Sequence, residues 1–126
     1  MKVLATVDGS PAGLRALGRL STYVSPRDAS VTLLTVYTLP FTAEAATEVV
    51  QAGQRTLSAQ GFSAQSVVLE GVPALTIMRF AEQGDFDLVV VGSHRRVDDE
   101  EMPVYCTALR IAAESTVPVL ILKPNP

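Results

Sequence analysis

The chain has 126 residues, of which 48% are hydrophobic, and its length fits one domain that buries its own core. Its 10 Lys and Arg against 13 Asp and Glu give a formal net charge of -3, and its longest basic run is Arg95-Arg96, so no nucleic-acid partner is expected. The single Cys106 cannot form a disulfide within the chain, so we expect a cytoplasmic protein. No apolar stretch approaches the ~20 residues that cross a bilayer, so no membrane partner is expected.

Five short runs are predicted to be strands, because each is nearly continuous in Val, Leu and Ile instead of alternating with polar residues. Runs of this kind are typical of parallel strands that helices cover on both faces. In chain order the predicted strands are Val3–Val7, Val31–Tyr37, Ser66–Glu70, Leu88–Val91 and Val117–Leu122.

Four amphipathic helices are predicted between these strands. The first begins at Ser10-Pro11, a capping residue followed by proline at the first helical position, and the second ends at Gly61. The third lies between Pro73 and Gly84, and the fourth has Pro103 near its start. The positions expected to face the core are Leu14, Leu17, Leu20 and Val24 in the first helix, Ala46, Val49, Val50 and Leu57 in the second, Ala74, Ile77, Met78 and Ala81 in the third, and Val104, Ala108, Ile111 and Ala112 in the fourth.

The alternation of strands and helices predicts one doubly wound α/β domain over residues 1–126. We expect a five-stranded, mainly parallel sheet with helices on both faces, in a Rossmann-like arrangement. Ligands of such sheets bind outside the carboxyl ends of the strands. Any binding site is therefore expected among the residues at those ends, which are Asp8-Gly9-Ser10, Val36-Tyr37, Glu70-Gly71 and Gly92-Ser93-His94.

Two of these segments have both a binding and a structural interpretation. Asp8 follows the first strand, where a carboxylate can bind a ribose hydroxyl, an adenine amine or a metal, or can instead hold the turn. Gly92 lies between a strand and a helix, which suits a backbone anion site and equally suits an ordinary turn. The residues alone leave both choices open.

The segment from Val89 to His94, together with that from Val117 to Leu122, resembles the carboxyl-terminal half of the universal stress protein family. The opening segment from Val3 to Pro11 is similar to that family's first strand and turn. Its middle section is similar to two further segments, Glu70-Gly71-Val72-Pro73 and Asp85-Phe86-Asp87-Leu88. The resemblance covers essentially the whole chain and implies an adenine-nucleotide-hydrolase-like fold.

The resemblance also implies a set of cofactor-binding residues. Asp8 matches the family's acidic nucleotide contact, Val36 matches its adenine-side residue, and Val91-Gly92 matches the start of its phosphate loop. With the residues that follow this start, the implied set is Asp8, Val36, Val91, Gly92, Ser93, His94 and Arg95.

The family's ATP-binding members carry Gly, two residues, Gly, nine residues, Gly, and then Ser or Thr after the fourth strand. This sequence keeps only the first position, Gly92, because Arg95, Tyr105 and Cys106 stand at the other three. Arg95 and Tyr105 add bulk where glycine lets a phosphate approach, and a thiol is a weaker donor than a hydroxyl. The carboxylates from Asp98 to Glu101 add repulsion, at 4 Å ~1 kcal/mol per like-charge contact in bulk water and ~4 kcal/mol at an effective dielectric of about 20. The sequence therefore predicts a degenerate ATP site, which AMP or adenosine would suit better than ATP.

Enzyme activity is not expected, since the chain shows neither a Ser-His-Asp arrangement nor a pair of acid/base carboxylates. His94 lies on the expected cleft without a visible nucleophile partner. One histidine and one cysteine also cannot build a thiolate-rich zinc site, so no metal is expected. A redox role for Cys106 stays open.

The favoured hypothesis is a non-catalytic stress-response or regulatory module that acts as a homodimer, with possible protein partners. Universal stress proteins commonly dimerise through the last strand, which is predicted here at Val117–Leu122, and an apolar edge strand needs a partner or a cover. Pro118 is compatible with an edge position, although it and the tail would equally blunt the edge of a monomer.

Two other functions compete with this hypothesis. One is an adenine-nucleotide-binding sensor of the same fold, using Asp8, Val36 and the Gly92 loop, with ATP or AMP as its ligand. The other is a receiver-like signalling domain, which fits poorly. Receivers need an acidic pair after the first strand and a phosphorylatable Asp after the third, and only Asp8 and Glu70 stand at those places.

Overall fold

The computed structural model describes residues 1–92 and 107–124. Its five strands are β1 (Lys2–Thr6), β2 (Ser30–Tyr37), β3 (Ala64–Glu70), β4 (Leu88–Gly92) and β5 (Val119–Leu122). Its helices are α1 (Pro11–Leu17), α2 (Leu20–Tyr23), α3 (Ala43–Ser58), α4 (Pro73–Gln83) and α5 (Thr107–Glu114).

The strands form one sheet in the order β3-β2-β1-β4-β5, and each neighbouring pair is parallel. The predicted doubly wound α/β fold is therefore confirmed. Successive strands run outward from β1 on one side and from β4 on the other, so the order reverses between these two strands. A crevice for a ligand is expected where their carboxyl ends diverge.

The hydrophobic core has two halves, one on each face of the sheet. Successive residues of β1 point to opposite faces, so that Val3 and Ala5 pack with α1, α2 and α3, whereas Leu4 packs with α4 and α5. All three side chains are fully buried. This burial on both faces explains why the central strands read as continuous apolar runs.

The first predicted helix is interrupted, which corrects the expectation of one continuous helix. α1 ends at Leu17, and α2 begins only at Leu20, after Gly18, a residue type with a low helix propensity. The side chain of Gln60 bridges the break, because its amide donates to the Leu17 carbonyl over 3.0 Å and its oxygen accepts from the Ser21 N–H over 2.8 Å. The interruption thus leaves these two backbone groups paired.

Two strand predictions also need correction. β3 is an edge strand whose residues are half-buried or exposed, so it is not covered on both faces as predicted. β5 begins at Val119, two residues later than predicted. The Ser115 hydroxyl donates to the Val117 carbonyl over 2.7 Å and accepts from the Val117 N–H over 3.0 Å, which holds Val117 in the turn before the strand.

The other helices are confirmed, with one difference in α5. The predicted apolar positions of α3 and α4 are buried or half-buried. In α5, Ala108 and Ile111 are buried but Ala112 is exposed, so the buried stripe is narrower than predicted. Pro103 and Val104 lie outside the described residues. Within residues 1–92 and 107–124, no helix is long and apolar enough to span a membrane.

Candidate functional site

The turn after β1 lies beside the expected crevice and is built around Asp8. Its Oδ1 accepts hydrogen bonds from the Ser10 N–H over 3.0 Å and from the Ser10 hydroxyl over 2.8 Å. The same hydroxyl oxygen accepts from the Gly13 N–H over 2.9 Å, which caps the first turn of α1. Gly9 between them has a φ of 88°, a left-handed conformation that favours glycine. Asp8 therefore holds the turn, one of the two roles that the sequence left open.

Gly13 is a site residue that the sequence analysis missed. A Cβ at this position would lie 2.8 Å from Asp8 Oδ1 and 2.8 Å from Ser10 Oγ, so a larger residue would displace both atoms. The space above Gly13 is also where β4 ends, since a Cβ on Gly92 would lie 3.6 Å from the Gly13 Cα. The signal in the sequence was a glycine three residues after the capping residue Ser10. The position of Gly13 beside Gly92 could not be foreseen, because Gly92 is distant along the chain.

The two valines of the predicted set differ in what they can offer a ligand. Val36, near the end of β2, is half-buried and packs against the core half under α4 and α5. Val91, near the end of β4, is only 2% exposed and belongs to the same core half. The Val91 side chain therefore stabilises the sheet and presents almost no surface to a ligand.

Two threonines tie the carboxyl ends of the strands together. The Thr35 hydroxyl is buried and donates to the Val7 carbonyl over 3.0 Å, linking β2 to the turn after β1. The Thr6 hydroxyl donates to the Val90 carbonyl over 3.2 Å, linking β1 to β4. These two bonds partly satisfy the Val90 and Val7 carbonyls and hold β1 and its turn between β4 and β2.

The loop after β2 lies at the same edge of the sheet, on the side of β1 that faces away from β4. The Thr38 hydroxyl donates to the Gly71 carbonyl over 2.8 Å, which joins this loop to the end of β3. The loop contains a cis peptide bond between Leu39 and Pro40, and the side chains of Leu39 and Phe41 are 67% and 69% exposed. The carboxyl edge of the sheet thus carries an acidic turn after β1 and an exposed apolar loop after β2.

The rest of the predicted set, Ser93, His94 and Arg95, lies outside the described residues, as does the redox candidate Cys106. The structure therefore brings together Asp8 and Gly92 and leaves Val36 on the neighbouring strand. Within residues 1–92 and 107–124, no group of three or more His, Cys, Asp or Glu side chains could hold a metal ion. The turn after β1 can orient hydroxyl or amine groups through the Asp8 carboxylate, and its Ser10 hydroxyl is engaged in capping.

The model of the universal stress protein family matches residues 1–123 of the chain. Two curated relatives come from Methanocaldococcus jannaschii. Universal stress protein MJ0531 is 29% identical over 138 residues, covering 97% of this chain and 81% of the relative. Universal stress protein MJ0577 is 27% identical over 63 residues, and this match spans 50% of the chain but only 39% of that relative.

Solved structures agree with this match at the level of the fold. The structure of hypothetical protein MJ0577 has a TM-score of 0.80 and 22% identity, covering 99% of this chain and 96% of that one. A universal stress protein in complex with cAMP has a TM-score of 0.79 and 22% identity, with 99% and 98% covered. A family protein from Arabidopsis thaliana with AMP bound has a TM-score of 0.75 and 18% identity, with 99% and 92% covered.

Proposed function

Because the chain belongs to the universal stress protein family, we propose that it is a non-catalytic stress-response or regulatory module whose ATP site is degenerate. One observation carries the proposal: after Gly92, at the end of β4, the sequence has Arg95, Tyr105 and Cys106 where the family's ATP-binding members carry Gly, Gly, and Ser or Thr. The single cysteine favours a reducing compartment, so the module is proposed to act in the cytoplasm.

The packing of the crevice supports this proposal. A Cβ on Gly92 would lie in ordinary van der Waals contact with Gly13, so the end of β4 lies directly beside the start of α1. A triphosphate bound at this edge would have to extend over the segment that follows Gly92. The backbone N–H groups of that segment could stabilise the negative charge only at a short distance from the phosphates. Arginine and tyrosine at the glycine positions oppose that approach, since their side chains add bulk.

Calorimetric titration with Mg-ATP tests the degenerate site. We expect no binding by the natural chain at millimolar ligand. The matched variant carries Arg95→Gly, Tyr105→Gly and Cys106→Ser together, which restores the glycine pattern, and we expect it to gain affinity for Mg-ATP. Micromolar binding by the natural chain would contradict the proposal. An unchanged triple variant would show that these three residues are not what prevents binding.

A second candidate is an adenine mononucleotide sensor, favoured by the solved relatives that contain cAMP or AMP. In this case the exposed Asp8 carboxylate would contact the ligand directly. Asp8→Asn keeps an oxygen that can accept from the Ser10 N–H while removing the charge, so the turn is preserved. Under this candidate, AMP binds and Asp8→Asn weakens it about tenfold or more. The exposed Asp28 supplies the control Asp28→Asn, which should leave AMP affinity unchanged.

The homodimer is proposed to form through β5, which lies at one edge of the sheet. The Val89 N–H donates to the Pro118 carbonyl over 2.9 Å, so Pro118 and, by alternation, Leu120 turn their backbone groups toward β4. Val119 and Ile121 then turn theirs outward, where a second copy can pair with them. Sedimentation velocity should show self-association of the natural chain, and Ile121→Lys should lower its average mass, since an edge lysine opposes strand pairing. A natural chain that sediments as a monomer at micromolar concentration would contradict the β5 dimer.

A further inference from the structure

The strand at the opposite edge of the sheet, β3, has a regular outer face of backbone groups. The Gly71 N–H, directly after β3, donates to the Tyr37 carbonyl of β2 over 3.0 Å. Alternate residues of a parallel strand turn their N–H and C=O groups to opposite sides. The odd-numbered residues of β3 therefore face β2, and the outward-facing set is Ala64, Ser66, Val68 and Glu70.

One of these outward groups already has a partner, which confirms the alternation. The Gln54 side-chain amide donates to the Ala64 carbonyl over 3.0 Å from the direction of α3. Within residues 1–92 and 107–124, no hydrogen bond reaches the outward backbone groups of Ser66, Val68 and Glu70. β3 also contains no Lys, Arg or Pro, the residues that commonly keep a strand edge from pairing.

We propose that a second copy of this chain pairs with β3 in the antiparallel direction, with Val67 on the two-fold axis. In this register Ser66 of one copy lies opposite Val68 of the other, and Ala64 lies opposite Glu70. Every opposed pair of outward-facing residues then exchanges backbone hydrogen bonds. The two Val67 side chains meet across the axis on the α4 face, where each already packs against its own core.

Charge complementarity selects this register and this occupant. Arg55, in the last turn of α3, lines an open groove of about 590 Å³ together with Gln54, Phe62 and Ala64. Ala64 packs on the α3 face of the sheet, so Glu70 points to the same face, six residues along the strand. Antiparallel pairing places Glu70 of the second copy over Ala64, beside Arg55.

The two charges have no competing ion-pair partner within the described ranges, where the side chains of Arg55 and Glu70 are both exposed. The two-fold symmetry forms the Arg55–Glu70 pair twice. Gln54, released from the Ala64 carbonyl by the incoming Glu70 N–H, can donate to the same carboxylate. A strand edge thus gains backbone bonds along its length and a charged pair at each end.

This interface does not depend on the proposed function or on β5. A chain that paired through both edges would extend the sheet without closing it, so its assembly would grow with protein concentration. The test therefore starts from Ile121→Lys, which blocks β5, combined with Cys106→Ser, which removes the natural thiol. Of the two edges of the described sheet, the β3 edge then remains for pairing.

Cysteine cross-linking tests the register. Val67→Cys places the two thiols in a non-hydrogen-bonded antiparallel pair with Cα atoms about 4.5 Å apart, which a disulfide can bridge. Gln65→Cys is the matched control on the same face, because its two copies are offset by four residues, about 13 Å. With oxidised glutathione as the oxidant, we expect a covalent dimer for Val67→Cys and none for Gln65→Cys. Equal yields from the two variants would overturn the register.

Charge and backbone variants test the interface itself. Glu70→Arg or Arg55→Glu alone should slow the Val67→Cys cross-link about fivefold or more, and the two together should restore it. Ser66→Pro should abolish the cross-link while the chain stays folded, because it removes an outward N–H at an exposed position; Ser66→Ala is its control. The proposal is overturned if the Val67→Cys cross-link changes neither with the charge variants nor with Ser66→Pro. A Val67→Cys chain that stays monomeric excludes a second copy and leaves the edge to an extended segment of another protein.

Discussion

The turn that shapes the crevice makes a stability prediction that compares two helix caps. Ser10→Ala removes the cap of α1, a 2.9 Å bond to the Gly13 N–H, and also the 2.8 Å bond to the Asp8 carboxylate. Thr42→Ala removes only the cap of α3, a 3.1 Å bond to the Ala45 N–H. Loss of a cap costs about 1 kcal/mol, and loss of an exposed bond to a charged group adds about 0.5 kcal/mol.

We therefore expect the free energy of unfolding to fall by about 1.5 kcal/mol for Ser10→Ala and about 1 kcal/mol for Thr42→Ala. For a chain of this size, the first change lowers Tm by roughly 5 °C. Urea unfolding followed by circular dichroism measures both free energies under one condition. A loss for Ser10→Ala that is equal to or smaller than the loss for Thr42→Ala would refute the reasoning, because the Asp8 bond would then contribute nothing.

Three further predictions concern the packing around the crevice and the core. Gly13→Ala should lower stability by about 1 kcal/mol or more despite the better helix propensity of alanine, because its Cβ displaces the Asp8 and Ser10 oxygens, and thermal unfolding measures the loss. Leu4→Ala, at a fully buried position, should cost 2–5 kcal/mol in urea unfolding, roughly as core truncations do, whereas Leu39→Ala at a 67% exposed position should cost less than about 0.5 kcal/mol. Thr35→Val should lower the free energy of unfolding by about 1–3 kcal/mol in the same assay, because the Val7 carbonyl loses the Thr35 hydroxyl as a donor. An unchanged free energy of unfolding would contradict the burial of this bond.

The strands could be predicted from the sequence because burial on both faces produces an apolar run that is visible locally. The same pattern misled at β3, whose Val67, Val68 and Leu69 read like a central strand although the strand lies at the edge. Strand order depends on which crossover goes to which side of the sheet, and no local run of residues encodes it. The break between α1 and α2 was missed for a similar reason, since Gln60, which bridges it, is far along the chain.

The sequence predicted where the candidate site lies but not how its residues contact one another. The sequence correctly put Asp8 and Gly92 at the carboxyl edge of the sheet, because both follow predicted strands directly. It could not choose between the two roles of Asp8, since the choice depends on the direction of the Ser10 side chain. It also did not identify Gly13, whose importance comes from atoms that only the fold brings together, and it did not foresee that the Val91 side chain is buried.

The nucleotide content of the freshly purified chain tests the central claim most directly. The protein would be isolated without added nucleotide, denatured, and its released small molecules separated and identified by chromatography and mass. A module with a degenerate ATP site releases no ATP. Stoichiometric ATP in the extract would contradict the account, because it would show that Arg95, Tyr105 and Cys106 are compatible with a bound triphosphate.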